Sequence, residues 1–242
     1  PWRRPGPRRR GAMGSALAPP RRVLCLHSFR TSGAIMREQL FSFSNIGDRF
    51  EASGFCLDFV DAPHRCSAED EAKVEEVVKL AFPDCQEYFE WWKANADRTE
   101  YHGLQETLDH VGRFIAARGP FDGVVGFSQG GMLAHLIAHL QATGAGFTQH
   151  PPFKFMVLIG CRHSRLAAHQ QLLEAATPKG LPRAMVIYGG RDSICPPEET
   201  RRMVATLPGA QEICVPEGGH KIPFLSEEDA ARLQAFLGAP DP

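Results

Sequence analysis

At 242 residues, 43% of them apolar and 23% charged, the chain is long enough for one sizeable α/β core and has the make-up of a soluble globular protein. No apolar run approaches the ~20 residues needed to cross a bilayer, which excludes a helical membrane span. The net charge of −1 conceals seven arginines and no acid within residues 1–22, so the remainder carries about −8 and nucleic acid is excluded as its main partner.

In chain order, residues 1–21 read as a disordered basic leader, because Pro, Gly and Arg bury too little apolar surface to order themselves. The leader lacks the apolar stretch of a secretory signal, and its prolines oppose the amphipathic helix of a transit peptide. Met13 is a candidate initiator; Met13-Gly14 followed by Ala18 lacks the Ser or Thr of a myristoylation site. Residues 22–238 are then expected to form one domain. Val23 to His27 reads as a buried strand that ends at the loop Ser28-Phe29-Arg30-Thr31-Ser32-Gly33. Residues 34–50 read as one helix, with Ile35, Leu40, Phe43 and Phe50 among its apolar positions. Phe55 to Val60 is a second strand, closed by Asp61-Ala62-Pro63.

The charged stretch 68–80 predicts an exposed helix face, and aromatics from Phe82 to Trp92 follow it. The region around 64–95 is too long for a simple crossover and is expected to be a lid insertion. On one reading these aromatics form the lid or wall of an apolar acyl pocket, with Trp91 and Trp92 as substrate-binding residues; on the other, a helix packs its Trp face into the core. Leu104, Leu108, Val111 and Ile115 recur at helical spacing before Gly119-Pro120 ends the helix. After residue 120 come a strand from Phe121 to Val125 and a helix through about Gln141. Strands at 155–159, 184–188 and 211–215 and a last helix at 226–237 complete the pattern. Short buried strands alternating with helices imply a mostly parallel sheet with helices on both faces, its functional residues at the carboxyl ends of strands. The seven cysteines (25, 56, 66, 85, 161, 195, 214) show no paired spacing and read as reduced thiols of a cytosolic protein, Cys25 and Cys214 buried in strands.

Gly126-Phe127-Ser128-Gln129-Gly130 lies between the strand at 121–125 and its following helix. A G-x-S-x-G in that setting is a nucleophile elbow, a turn tight enough to force the serine into strained backbone geometry. Both glycines have a mechanical reason, since a side chain would collide where helix and strand approach. A serine hydroxyl needs an adjacent base and a third group to fix that base. Gly189-Gly190-Arg191-Asp192 and Gly218-Gly219-His220 each follow a strand, so Ser128, Asp192 and His220 occur in the order of an α/β-hydrolase triad. Asp122 is the rival acid, but six strand residues at ~3.3 Å each put it roughly 20 Å away, at the other end of the sheet. The backbone amides of Gln129 and Phe29 are the expected oxyanion donors, and as backbone groups they make the identities of these two residues chemically indifferent. His135 and His139 mimic half a zinc motif, without a third ligand; they are expected on a solvated helix face, and no metal is predicted.

With these positions in place, the chain resembles the FSH family of serine hydrolases from about Arg22 to Leu237. The resemblance rests on Val23-Leu24-Cys25-Leu26-His27-Ser28-Phe29-Arg30-Thr31-Ser32, on Trp91-Trp92, and on the run from Gly119 to Gly131. It implies an α/β-hydrolase fold, a triad at Ser128, Asp192 and His220, no cofactor, and a cytoplasmic and nuclear location. The expected activity is hydrolysis of small-molecule carboxylic esters with an apolar acyl chain, through an acyl-enzyme. A thioesterase with the same triad and a catalytically idle fold that binds a small molecule are the alternatives. The family usually carries Gly after the first-strand histidine, where this chain has Ser28; if that position needs positive φ, the serine strains the loop.

Overall fold

The computed structural model describes residues 20–240, apart from residue 75 and residues 176–179. The expected leader thus lies outside the described residues up to position 19. In chain order the elements are β1 (Arg21–Leu26), α1 (Gly33–Phe41), α2 (Ile46–Ala52), β2 (Phe55–Val60), β3 (His64–Arg65), α3 (Ala68–Ala72) and α4 (Glu76–Ala81). The short strands β4 (Phe89–Glu90), β5 (Lys93–Ala94) and β6 (Tyr101–His102) follow, then α5 (Leu104–Arg118), β7 (Gly123–Phe127) and α6 (Gln129–Thr143). The chain ends with β8 (Phe155–Ile159), α7 (Ala167–Ala175), β9 (Arg183–Gly189), α8 (Pro197–Val204), β10 (Gln211–Val215) and α9 (Glu227–Gly238).

Six strands form one sheet in the order β10-β9-β8-β7-β1-β2, and every neighbouring pair is parallel. Alternate strand residues face opposite layers. Leu24, Leu26, Val124, Met156, Leu158 and Val186 meet the buried residues of α5, α6 and α8 on one face. Val23, Cys25, Val125, Val157, Ile159 and Met185 meet those of α1, α2 and α9 on the other. This is the α/β-hydrolase fold, with helices on both faces. No helix among the described residues is long and apolar enough to cross a membrane.

Several local expectations change. The single helix at 34–50 is two helices, because Asn45 turns its amide group away to bond both the N–H and the carbonyl of Leu225, and Ser44 Oγ donates back to the Leu40 carbonyl at 2.9 Å. The described residues of 64–102 contribute nothing to the main sheet; they build the two-stranded ribbons β3–β4 and β5–β6 together with α3 and α4. All seven cysteines are free; Cys25 is buried, whereas Cys214 on the edge strand is partly exposed. His135 and His139 are not solvated: they are 3% and 1% exposed, since α6 is covered by β7, β8 and α7. Burial lowers the pKa of both rings and keeps them neutral. Among the described residues no three His, Cys, Asp or Glu side chains are grouped to hold a metal ion.

Candidate active site

Parallel strands deliver their carboxyl ends to one edge of the sheet, and there β7, β9 and β10 hand over to the loops or turns carrying Ser128, Asp192 and His220. Ser128 caps α6 at φ 53°, ψ −114°, a left-handed backbone that costs a non-glycine residue on the order of 1–3 kcal/mol. The elbow survives because its neighbours leave no alternative. A Cβ on Gly126 would lie 2.5 Å from the Gly130 carbonyl carbon, and one on Gly130 would lie 2.5 Å from the Leu26 carbonyl carbon. Strand, turn and helix are packed backbone to backbone.

The three side chains form a hydrogen-bonded row. His220 Nε2 is 2.9 Å from Ser128 Oγ, and His220 Nδ1 is 2.7 Å from Asp192 Oδ2. Asp192 is 3% exposed, and its other oxygen accepts the N–H groups of Ile194 at 2.9 Å and Cys195 at 2.8 Å. Burial by itself raises the pKa of this carboxyl, but the hydrogen bond from His220 and those from the two amides outweigh it, and the net shift is downward. Asp192 therefore stays ionised and holds the Nδ1–H tautomer of His220, leaving Nε2 free to accept the serine proton. Asp122, by contrast, bonds the Arg22 N–H at 2.9 Å and Lys154 at 3.0 Å at the amino end of β7.

The loop after β1 is held from below by His27, which is wholly buried. Its Nε2 accepts the Ala62 N–H at 3.0 Å, so the ring proton sits on Nδ1 and is donated to the Ser28 carbonyl at 2.7 Å. Burial pushes the pKa of His27 down to about 4, so this ring is neutral. Ser28 is not among the non-glycine residues with positive φ; the left-handed residue of the loop is Arg30, at 53°. The strain expected at Ser28 is thus displaced two residues along. Phe29 is 43% exposed, and its amide meets no acceptor among the described residues. Gln129 opens α6, where a helix leaves its first N–H groups without intrahelical partners.

Ser128 and His220 line a cleft of about 610 Å³ whose walls include Phe43, Val74, Val78, Phe82, Ile194 and Ile222. Of the two readings of Trp91 and Trp92, the acyl pocket gives way to the core: they are 0% and 3% exposed, although the chain there follows β4 and is not a helix. The correction has a physical reason. The Trp91 indole N–H donates to the His27 carbonyl at 2.8 Å, and Trp92 stacks on Tyr101 at 5.0 Å, so both rings are fully engaged inside. Phe82 is one of the aromatics expected at such a wall, but nothing in the spacing of residues 68–80 marks Val74 and Val78, whose charged neighbours conceal them. The side chain of Gln129 also has a role beyond its amide, accepting the Trp91 N–H at 3.0 Å and donating to the Trp92 carbonyl at 2.9 Å.

The profile of a family described as serine hydrolase (FSH1) matches residues 17–231. A mouse protein named esterase OVCA2 is 30% identical over 227 residues, which cover 89% of this chain and 93% of the relative. A fission-yeast protein named dihydrofolate reductase is 26% identical over 210 residues, and there the chain spans only 45% of the relative's length. Among solved structures, an acyl-protein thioesterase 2 from maize superposes with a TM-score of 0.61 at 15% identity, covering 90% of this chain and 92% of that one. This last likeness speaks to the fold.

Proposed function

The chain belongs to the serine hydrolase (FSH1) family and is a serine esterase, and we propose that Ser128, His220 and Asp192 are its catalytic triad, acting on carboxylic esters with an apolar acyl group. The observation that carries this reading is the unbroken row from Asp192 through His220 to Ser128 Oγ, opening into a cleft walled by Val74, Val78, Phe82, Ile194 and Ile222.

His220 Nε2 takes the proton as Ser128 Oγ bonds to the carbonyl carbon. The carbonyl oxygen becomes an oxyanion facing the amides of Phe29 and Gln129, where donors already in place stabilise charge without reorganisation. Collapse of the tetrahedral adduct breaks the bond to the leaving alkoxide, which departs with the proton from His220. Water then gives its proton to His220, attacks the acyl-serine, and releases the acid and free Ser128. The segment holding α3 and α4 acts as the lid expected from sequence, supplying Val74, Val78 and Phe82 to the acyl side of the cleft.

The test is a series of p-nitrophenyl esters of increasing acyl length. Turnover should rise with chain length until the cleft is filled, and His220→Ala should lower it at least ~10³-fold. Phe82→Ala should move the preferred length upward, whereas a preference insensitive to Phe82 would remove the lid from the acyl site. Ester turnover indifferent to His220 would refute the triad.

A further inference from the structure

Between the loop after β1 and the start of α6 runs a short piece of chain, Phe89 to Trp92, that bonds to both. On the loop side, the Phe89 N–H donates to the Thr31 carbonyl at 2.8 Å, the Trp91 indole N–H to the His27 carbonyl at 2.8 Å, and Arg30 Nε to Glu90 Oε2 at 3.3 Å. On the helix side, the Gln129 side-chain amide takes the Trp91 N–H and gives a hydrogen bond to the Trp92 carbonyl. Glu90 is 0% exposed and Gln129 8%. Arg30 has a second tie, from Nη2 to Asp70 Oδ1 at 2.7 Å, and Lys93 Nζ meets the other oxygen of Asp70 at 2.7 Å. Thus Arg30, held at a positive φ, is bound to a buried carboxylate and to α3 at once.

We propose that Phe89–Trp92 is a brace that sets the separation of the two oxyanion donors, and that Glu90, through Arg30, and the Gln129 side chain are positioning residues for the esterase reaction. The inference rests on the assignment of the Phe29 and Gln129 amides made above. Those amides belong to separate pieces of chain, one following β1 and one opening α6, and Phe89–Trp92 is bonded to both. Two buried amide–backbone bonds in parallel define a distance where one would leave a hinge. Burial makes the ties rigid, because an unpaired polar group there has no water to turn to. Glu90, being wholly buried, cannot touch a substrate, so any effect of its replacement on turnover travels through its partners, Arg30 on the loop after β1 and Lys93, whose Nζ lies 3.5 Å from the other carboxylate oxygen.

Two variants test the brace. Gln129→Met keeps the length of the side chain and the backbone amide but removes both hydrogen bonds; Glu90→Gln keeps an acceptor for Arg30 and removes the charge. Each is assayed on a p-nitrophenyl ester and on its thiono analogue, whose larger sulfur fits an oxyanion site poorly. Losing one oxyanion donor outright costs roughly 10²–10³ in rate, so displacing one should lower kcat of Gln129→Met by about 10–100-fold with KM within about threefold. The preference for oxygen over sulfur should shrink about tenfold with it, and Glu90→Gln should move the same way by about 3–10-fold. Wild-type kcat and oxygen preference in both variants overturn the brace, as does a fall in kcat with the oxygen preference intact. If Gln129→Met does not fold, Glu90→Gln decides alone. Ester turnover surviving in Ser128→Ala would instead sink the underlying site assignment, whatever the braces do.

Discussion

Gly130→Ala tests how closely the elbow must sit against the first strand. The new methyl would stand 2.5 Å from the carbonyl carbon of Leu26 and also press on the carbonyl of His27. Both neighbours are backbone and cannot swing aside. Carbon atoms rest about 3.5 Å apart or more, so α6 and the end of β1 must separate by roughly 1 Å. Overpacking of this kind costs about 1–3 kcal/mol, which a domain of this size tolerates. The catalytic loss should be larger in proportion, because α6 carries Ser128 and Gln129 while β1 leads into Phe29. A misplacement of about 1 Å in such a constellation costs on the order of 10²-fold in kcat. Steady-state kinetics on a short p-nitrophenyl ester, with a urea melt on the same sample, separate the two effects. A folded Gly130→Ala protein with wild-type kcat would refute the argument that the contact fixes the site.

Asp192→Asn should lower kcat by roughly 10⁴-fold with little change in melting temperature: the asparagine oxygen can still accept from Ile194 and Cys195, but its amide nitrogen then faces His220 Nδ1 and drives the ring proton to Nε2. A loss under tenfold would remove Asp192 from the triad. Acid should destabilise the protein before its carboxylates titrate. Burial holds His27 at about 4, against 6.5 for an ordinary histidine, and does the same to His169. The unfolded chain therefore binds more protons between these values, so stability is complete above about pH 6.5 and falls as the pH drops toward 4. His27 alone should remove about 2 kcal/mol between pH 7.5 and pH 5, and His135, His139 and His163, also lowered by burial, add to the loss. A urea midpoint that stays level or rises over that interval would contradict the assignment of these rings as neutral.

What could be read from the sequence and what could not follow the range of the forces involved. The elbow is local in part: Gly126 is required by the backbone of Gly130 and Gly131 on the next turn, so the spacing is visible in a string of letters. Gly130, by contrast, is required by Leu26 and His27 at the end of β1, which no local pattern announces. The alternation of strands and helices is local too, and it led to the parallel sheet. Trp91 and Trp92 show where local reading stops, because their partners, the His27 carbonyl and Tyr101, are not signalled by any nearby pattern. The split of the helix at 34–50 depends on Leu225, which lies 180 residues from Asn45. His135 and His139 misled for another reason: residue type suggested water, yet α6 is covered by neighbouring elements, and the polar ring of His139 bonds the His135 carbonyl at 2.8 Å. For Gln129 the sequence points only to the backbone amide, since nothing in it announces a side chain that spans two backbones.

The most direct test of the account is covalent labelling with a fluorophosphonate, which reacts only with a serine whose base is in place. The wild-type protein should carry the label on Ser128, and Ser128→Ala, folded and of unchanged melting temperature, should carry none. A label on another serine, or one that persists in Ser128→Ala, would contradict it.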